Sequence, residues 1–109
     1  LRGRPVHQLL TQRLDAVAEL CRRYGVRRLD AFGSAVRGAE FDPARSDVDL
    51  LVELGGDVDD LSAFLDFKEA LEALLGRPVD LVERQAVEAS RNAIRRRRIL
   101  AEAEPIYAG

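Results

Sequence analysis

Apolar residues along this chain follow two different periods. Between residues 6 and 24, Leu10, Leu14, Val17, Cys21 and Tyr24 recur at steps of three and four, which predicts an amphipathic helix. Gly25 follows the last of them and suits a C-terminal helix stop. Val26 to Phe32 is short, mixed in polarity and β-compatible, and it runs into Gly33-Ser34. Ala35 to Gly38 suits one helical turn, and Ala39 to Ser46 carries the Asp-Pro signature of a loop. The period then changes: Val48, Leu50, Val52 and Leu54 alternate with Asp47, Asp49, Leu51 and Glu53. Period two with one apolar face predicts a strand, closed by Gly55-Gly56. Helical spacing returns in Leu61, Phe64, Leu65, Lys68, Leu71 and Leu75, behind a cap at Asp59 or Asp60. Gly76 ends that helix and Pro78 to Glu83 reads as another strand. Residues 86–103 read as one less cleanly amphipathic helix, stopped by Pro105, with Ile106-Tyr107 as a short edge strand.

The order of elements predicts an α/β or α+β fold, a small mixed sheet with helices packed on it, and residues 1–109 as one domain. With 109 residues and 47% apolar content, the chain can bury a moderate core but not a large additional substrate domain. Cys21 is the sole cysteine, which excludes an internal disulfide framework and fits a reducing compartment. No apolar run approaches the ~20 residues of a membrane span, and the first residues lack the apolar core of a signal peptide. A cytoplasmic location is therefore expected. No Met occurs, even at position 1, so a natural start upstream is expected too.

The net charge of −2 conceals an uneven layout. Residues 1–39 carry eight Arg against three acids, residues 40–83 thirteen acids against three bases, and residues 84–109 six Arg against three Glu. An acidic middle thus lies between two basic flanks. All the cations but Lys68 are Arg, which suits recognition of phosphate or carboxylate as well as a compositional bias.

Three constellations carry possible chemistry. Gly33-Ser34, followed by Arg37-Gly38, falls where a strand turns into a helix. Glycine there allows close backbone approach, and free N–H groups can meet phosphate oxygens. A tight turn with an exposed Arg is the plainer reading. Asp47 and Asp49 lie at i and i+2 of a strand, so both carboxylates share one face. Their mutual repulsion is relieved by cations such as Mg²⁺, while a solvated polar face is the alternative. Asp80 lies inside a mostly apolar strand, where Asp is disfavoured. Edge exposure would explain it alone.

Together they are more specific. GSAVRGAEFDPARSDVDLLVEL with the later RPVDLVE resembles the minimal nucleotidyltransferases of the DNA polymerase β superfamily. The likeness runs from about Leu29 to Tyr107 and includes the ending RRRILAEAEPIY. It implies a polymerase-β-type fold, an NTP substrate, most simply ATP, and two Mg²⁺ ions. It implies that Gly33 and Ser34 hold the β- and γ-phosphates, with Arg37 touching phosphate. Asp47 and Asp49 would ligate the metals, and Asp80 would complete the attacking-side metal site and help deprotonate the acceptor. The loop between Ser34 and Asp47 is slightly longer than in the shortest members of the family.

Short stand-alone members resemble the antitoxins of HEPN/MNT toxin–antitoxin systems. That likeness implies transfer of AMP to a tyrosine of a HEPN-type toxin, a hetero-oligomeric partner. Two other readings remain. One is a non-catalytic antitoxin that neutralises by complex formation; the other is a small nucleotidyltransferase acting on an antibiotic or nucleic acid with a helper subunit. His7 is the sole histidine and cannot anchor a His-rich site. Cys21 lies on the apolar stripe and is expected in the core. Of the arginines near the Arg95-Arg96-Arg97-Arg98 run, Arg91, Arg95 and Arg98 line up on a helix. A solvated or partner-facing surface is the first reading of that line and nucleotide contact the second. Nucleic acid is disfavoured, because no aromatic stripe is present to stack bases.

Overall fold

The strands alternate two kinds of residue, and the two faces of one sheet receive them separately. The computed structural model describes residues 12–33, 48–55 and 61–108. In chain order these form α1 (Leu14–Arg23), β1 (Val26–Ala31), β2 (Val48–Leu54), α2 (Leu61–Leu75), β3 (Val79–Glu83), α3 (Arg84–Glu88), α4 (Ala93–Glu102) and β4 (Glu104–Ala108). The sheet order is β3-β2-β1-β4. Strands β2 and β3 run parallel, as the α2 crossover between them requires, and the other pairings are antiparallel.

Leu29 and Ala31 of β1, Val48, Leu50 and Val52 of β2, and Val79 and Leu81 of β3 belong to the main core. They meet Val17 and Cys21 of α1 and Phe67, Leu71 and Leu75 of α2. Tyr24 sets its ring against Phe67 with centroids 5.6 Å apart. Cys21 is buried as expected, and desolvation pushes its thiol up to about 12 against the opposing charge of Arg22. Helix α1 ends at Gly25, whose φ of 70° is the left-handed conformation that a glycine stop adopts readily. The other sheet face is thinner: Phe32, Leu51, Val87 and Ile99 form a small second cluster.

The segment read as one helix over 86–103 is two. Helix α3 starts directly after β3, and residues 89–92 break the path before α4. Local polar bonds compete with the helix here: Ser90 Oγ accepts from the Asn92 N–H, and Asn92 Oδ1 accepts from the Arg95 N–H. Asn92 thereby becomes the N-cap of α4. The edge strand around Ile106-Tyr107 is present as β4 and tolerates Pro105 because it lies at the sheet edge. The N-terminal part of the first predicted helix with His7, the turn Ala35–Gly38, the loop 39–46, Gly56 and the caps Asp59 and Asp60 lie outside the described residues. No helix among the described residues is long and apolar enough to cross a membrane.

Candidate active site

Backbone pairing builds the site before any side chain takes part. Just past β1, the Phe32 N–H donates to the Asp49 carbonyl at 3.1 Å, which sets Gly33 beside Asp49. Gly33 has φ of 60°, and a Cβ there would lie 2.5 Å from Asp49 Oδ2. Glycine is thus required twice, by its backbone and by the carboxylate against it. On the other side of β2, Asp49 pairs in register with Asp80 of β3. Neighbouring strands lie about 4.8 Å apart, and residues paired in register point to the same face. Two carboxylates therefore stand side by side next to the glycine turn, on the face opposite the main core.

Of the residues singled out from sequence, Gly33, Asp49 and Asp80 line one cavity; Ser34, Arg37 and Asp47 lie outside the described residues. Among the described residues no group of three or more His, Cys, Asp or Glu side chains is placed to hold a metal ion. The Asp49–Asp80 pair supplies the oxygen donors that a hard cation takes, and Asp47 is the further ligand expected from sequence.

These residues open on a cavity of about 260 Å³. Helix α4 lines it opposite the sheet with Arg95, Arg98 and Glu102, and Phe32 and Ile99 add apolar walls. Positions 95, 98, 99 and 102 form one helical stripe, so the helix period alone delivers both arginines to the acids. The arginine run is therefore split. Arg95 and Arg98 line the cavity, Arg96 donates to the Ser90 carbonyl, and Arg97 is exposed. Arg95 and Arg98 are both exposed at the cavity wall, a placement compatible with either a solvated surface or nucleotide contact.

Two acids escaped the sequence reading. Glu102 Oε1 accepts the Gly33 N–H at 3.1 Å, and its Oε2 lies 3.5 Å from Arg98 Nε. Its place four residues after Arg98 was the available signal. Asp30 is fully buried on the same sheet face, bonded to Arg28 Nε at 2.8 Å and to Arg84. The bond to Asp30 raises the Arg28 pKa further. The sequence carried little signal for Asp30, because β1 is mixed in polarity; the two arginines that bond it are Arg28 in its own strand and Arg84 at the start of α3.

The family described as nucleotidyltransferase domain matches residues 15–102. Over 71 residues the chain is 44% identical to the protein adenylyltransferase MntA of Thermococcus cleftensis, covering 65% of this chain and 69% of that relative. A solved structure described as a minimal nucleotidyltransferase superposes with a TM-score of 0.69 at 38% identity, covering 88% of this chain and 91% of that chain. Another, of a tri-AMPylated Shewanella oneidensis HEPN toxin in complex with an MNT antitoxin, aligns with a TM-score of 0.60 at 17% identity. That alignment covers 91% of this chain and 72% of that chain, a likeness of fold.

Proposed function

The chain belongs to the nucleotidyltransferase-domain family, and on that premise we propose that it is a Mg²⁺-dependent enzyme moving AMP from ATP onto a tyrosine of a HEPN-type toxin, in the role of an antitoxin. The observation that carries this reading is the in-register pair Asp49–Asp80 beside Gly33. The nature of the acceptor is supported by the relatives, one a protein adenylyltransferase and another a complex with an AMPylated HEPN toxin. The site of action is the cytoplasm, where the lone thiol of Cys21 stays reduced.

In this reading the backbone at Gly33 and the hydroxyl of Ser34 hold the β- and γ-phosphates, and Arg37 adds a charged fork. Asp49 and Asp80, with Asp47, would hold the two Mg²⁺ ions, whose charge offsets that of the triphosphate and the leaving group. The acceptor oxygen forms a bond to the α-phosphorus as the bond from that phosphorus to the β-bridging oxygen breaks. Pyrophosphate leaves, and the hydroxyl proton passes to the Asp80 carboxylate.

The test is to incubate the protein with the product of the adjacent gene, ATP and Mg²⁺, and weigh that product intact. A gain of one or more AMP units with wild type, and none with Asp49→Asn, is expected. If both forms silence the toxin equally and no mass is added, neutralisation is by binding and the enzymatic reading falls.

A further inference from the structure

The Gly33 N–H is the donor that the nucleotide reading reserves for phosphate, yet in this structure it donates to an anion of the protein itself. Glu102 Oε1 accepts it at 3.1 Å. The same carboxylate lies 3.5 Å from Arg98 Nε through its other oxygen. A carboxylate held between a backbone N–H and a guanidinium has the charge and donor set of a bound phosphate oxygen pair. Its surroundings fit that comparison. Glu102 is mostly buried, with 15% of its side chain exposed, while the Arg98 side chain is 63% exposed and free to turn from one anion to another. Arg95, one turn earlier, faces the same cavity and makes no ion pair among the described residues.

We infer that Glu102 stands in for a nucleotide phosphate in the free protein, and that the Gly33 N–H and Arg98 pass from Glu102 to the incoming triphosphate. The inference rests on the nucleotide-binding reading above and adds to it a phosphate-binding residue on α4 and an internal competitor for its site. The competitor serves a purpose in a cavity already holding Asp49 and Asp80. Without a paired anion, Arg98 would be drawn to the metal-binding carboxylates, and the glycine turn would lose its fixed partner. With the triphosphate bound, Arg98 neutralises charge on the phosphates, and Glu102 moves off the N–H that it had held ready.

The discriminating experiment measures binding of Mg²⁺-ATP and of Mg²⁺-inorganic triphosphate by titration calorimetry. It uses wild type, Glu102→Ala, Glu102→Gln, Arg98→Gln and the Arg98→Gln/Glu102→Gln double variant, each first shown to melt cooperatively. Removing the competing charge in either Glu102 variant should tighten binding of both ligands by about two- to tenfold, the scale of one net hydrogen bond. Arg98→Gln should weaken both by about tenfold or more, and by at least as much in the Glu102→Gln background, where Glu102 no longer competes for the guanidinium. Binding of adenosine should not change. If Glu102→Ala loosens binding and Glu102→Gln restores it, Glu102 only braces the glycine turn and the inference is wrong. It is equally wrong if Arg98→Gln has no effect once Glu102 is replaced, because Arg98 then serves Glu102 alone. Wild type that binds neither ligand with Mg²⁺ would instead remove the nucleotide reading itself, and this inference with it.

Discussion

The two faces of the sheet are made by the same strands and differ in what the chain can afford to lose. Toward α1 and α2, thirteen buried residues pack into one cluster, drawn from every other position of β2 and β3. Toward α3 and α4, four do so, and the remaining space holds Asp49, Asp80 and the cavity. The alternation of β2 makes this division: Val48, Leu50 and Val52 go one way, Asp49 and Leu51 the other. A binding site next to a packed core therefore needs no extra element, because period two supplies a stable face and a reactive one from one strand. It also implies that the two faces should respond to substitution in different currencies, stability on one and chemistry on the other.

The largest effect should come from the packed face. Phe67 is fully buried and touches Tyr24, so Phe67→Ala should cost about 3–5 kcal/mol, much of the ~5–15 kcal/mol available to a domain. Urea unfolding measures it, and Cys21 gives a second readout. With its thiol pushed up to about 12 by burial, Cys21 should react slowly with a thiol reagent in the native protein and quickly as the core opens. Labelling of the Phe67→Ala protein should be markedly faster. A loss under about 1 kcal/mol would mean that this face is not the stabilising one.

Asp49→Asn is the counterpart on the other face. Transfer should fall by about 10²–10³-fold, the scale of losing one preorganised electrostatic contact in the transition state. Unfolding free energy should stay within about 1 kcal/mol of wild type, since the swap is nearly isosteric and relieves repulsion with Asp80. A stability loss rivalling that of Phe67→Ala would break the division between the faces.

How much of this was legible depended on the range of the interaction. Period two in residues 48–54 and the three-and-four steps of residues 14–24 are local, and both yielded their elements and their buried sides correctly. Asp49 was legible from its i, i+2 spacing with Asp47, and Asp80 as an acid in an apolar strand; the parallel register joins Asp49 to Asp80. The break at residues 89–92 was missed because Ser90 and Asn92 form bonds that compete with a helix, and apolar periodicity does not register them. Glu102 was missed for a different reason. Its spacing from Arg98 signals a pairing within α4, but its partner Gly33 is distant in sequence and no local pattern joins the two.

Asp30 tests the division from within, as a buried charge on the site face. Asp30→Asn would leave Arg28 and Arg84 without their shared anion and should cost about 3 kcal/mol, the low end for a broken buried pair because Arg28 reaches solvent. Mg²⁺-ATP affinity of the folded fraction should be unchanged, as Asp30 does not line the cavity. Chemical denaturation and calorimetry on the same sample would check both. Lost affinity without lost stability would show that Asp30 belongs to the site after all.

The smallest effect concerns Glu72, which ties α2 to the start of the strand that carries Asp80. Its Oε2 accepts the Val79 N–H at 2.9 Å and lies 3.1 Å from Lys68 Nζ, so it fixes where β3 starts, one residue before Asp80. The Val79 bond first, and Lys68 second, hold the Glu72 carboxyl below its ordinary range. A lowered folded pKa means that the unfolded chain takes up the proton first as pH falls. The stabilisation is therefore complete above the ordinary glutamate range, declines as pH falls through the folded value, and is absent below it. Glu72→Gln keeps an acceptor for Val79 but not the charge, so it should cost about 0.5–1 kcal/mol near pH 7, limited by solvent screening, and less at an acidic pH below the ordinary glutamate range. Urea midpoints at the two pH values measure the difference. A gap that stays constant with pH would show that the charge on Glu72 contributes nothing, and that the position of Asp80 is set by the ladder between β2 and β3 alone.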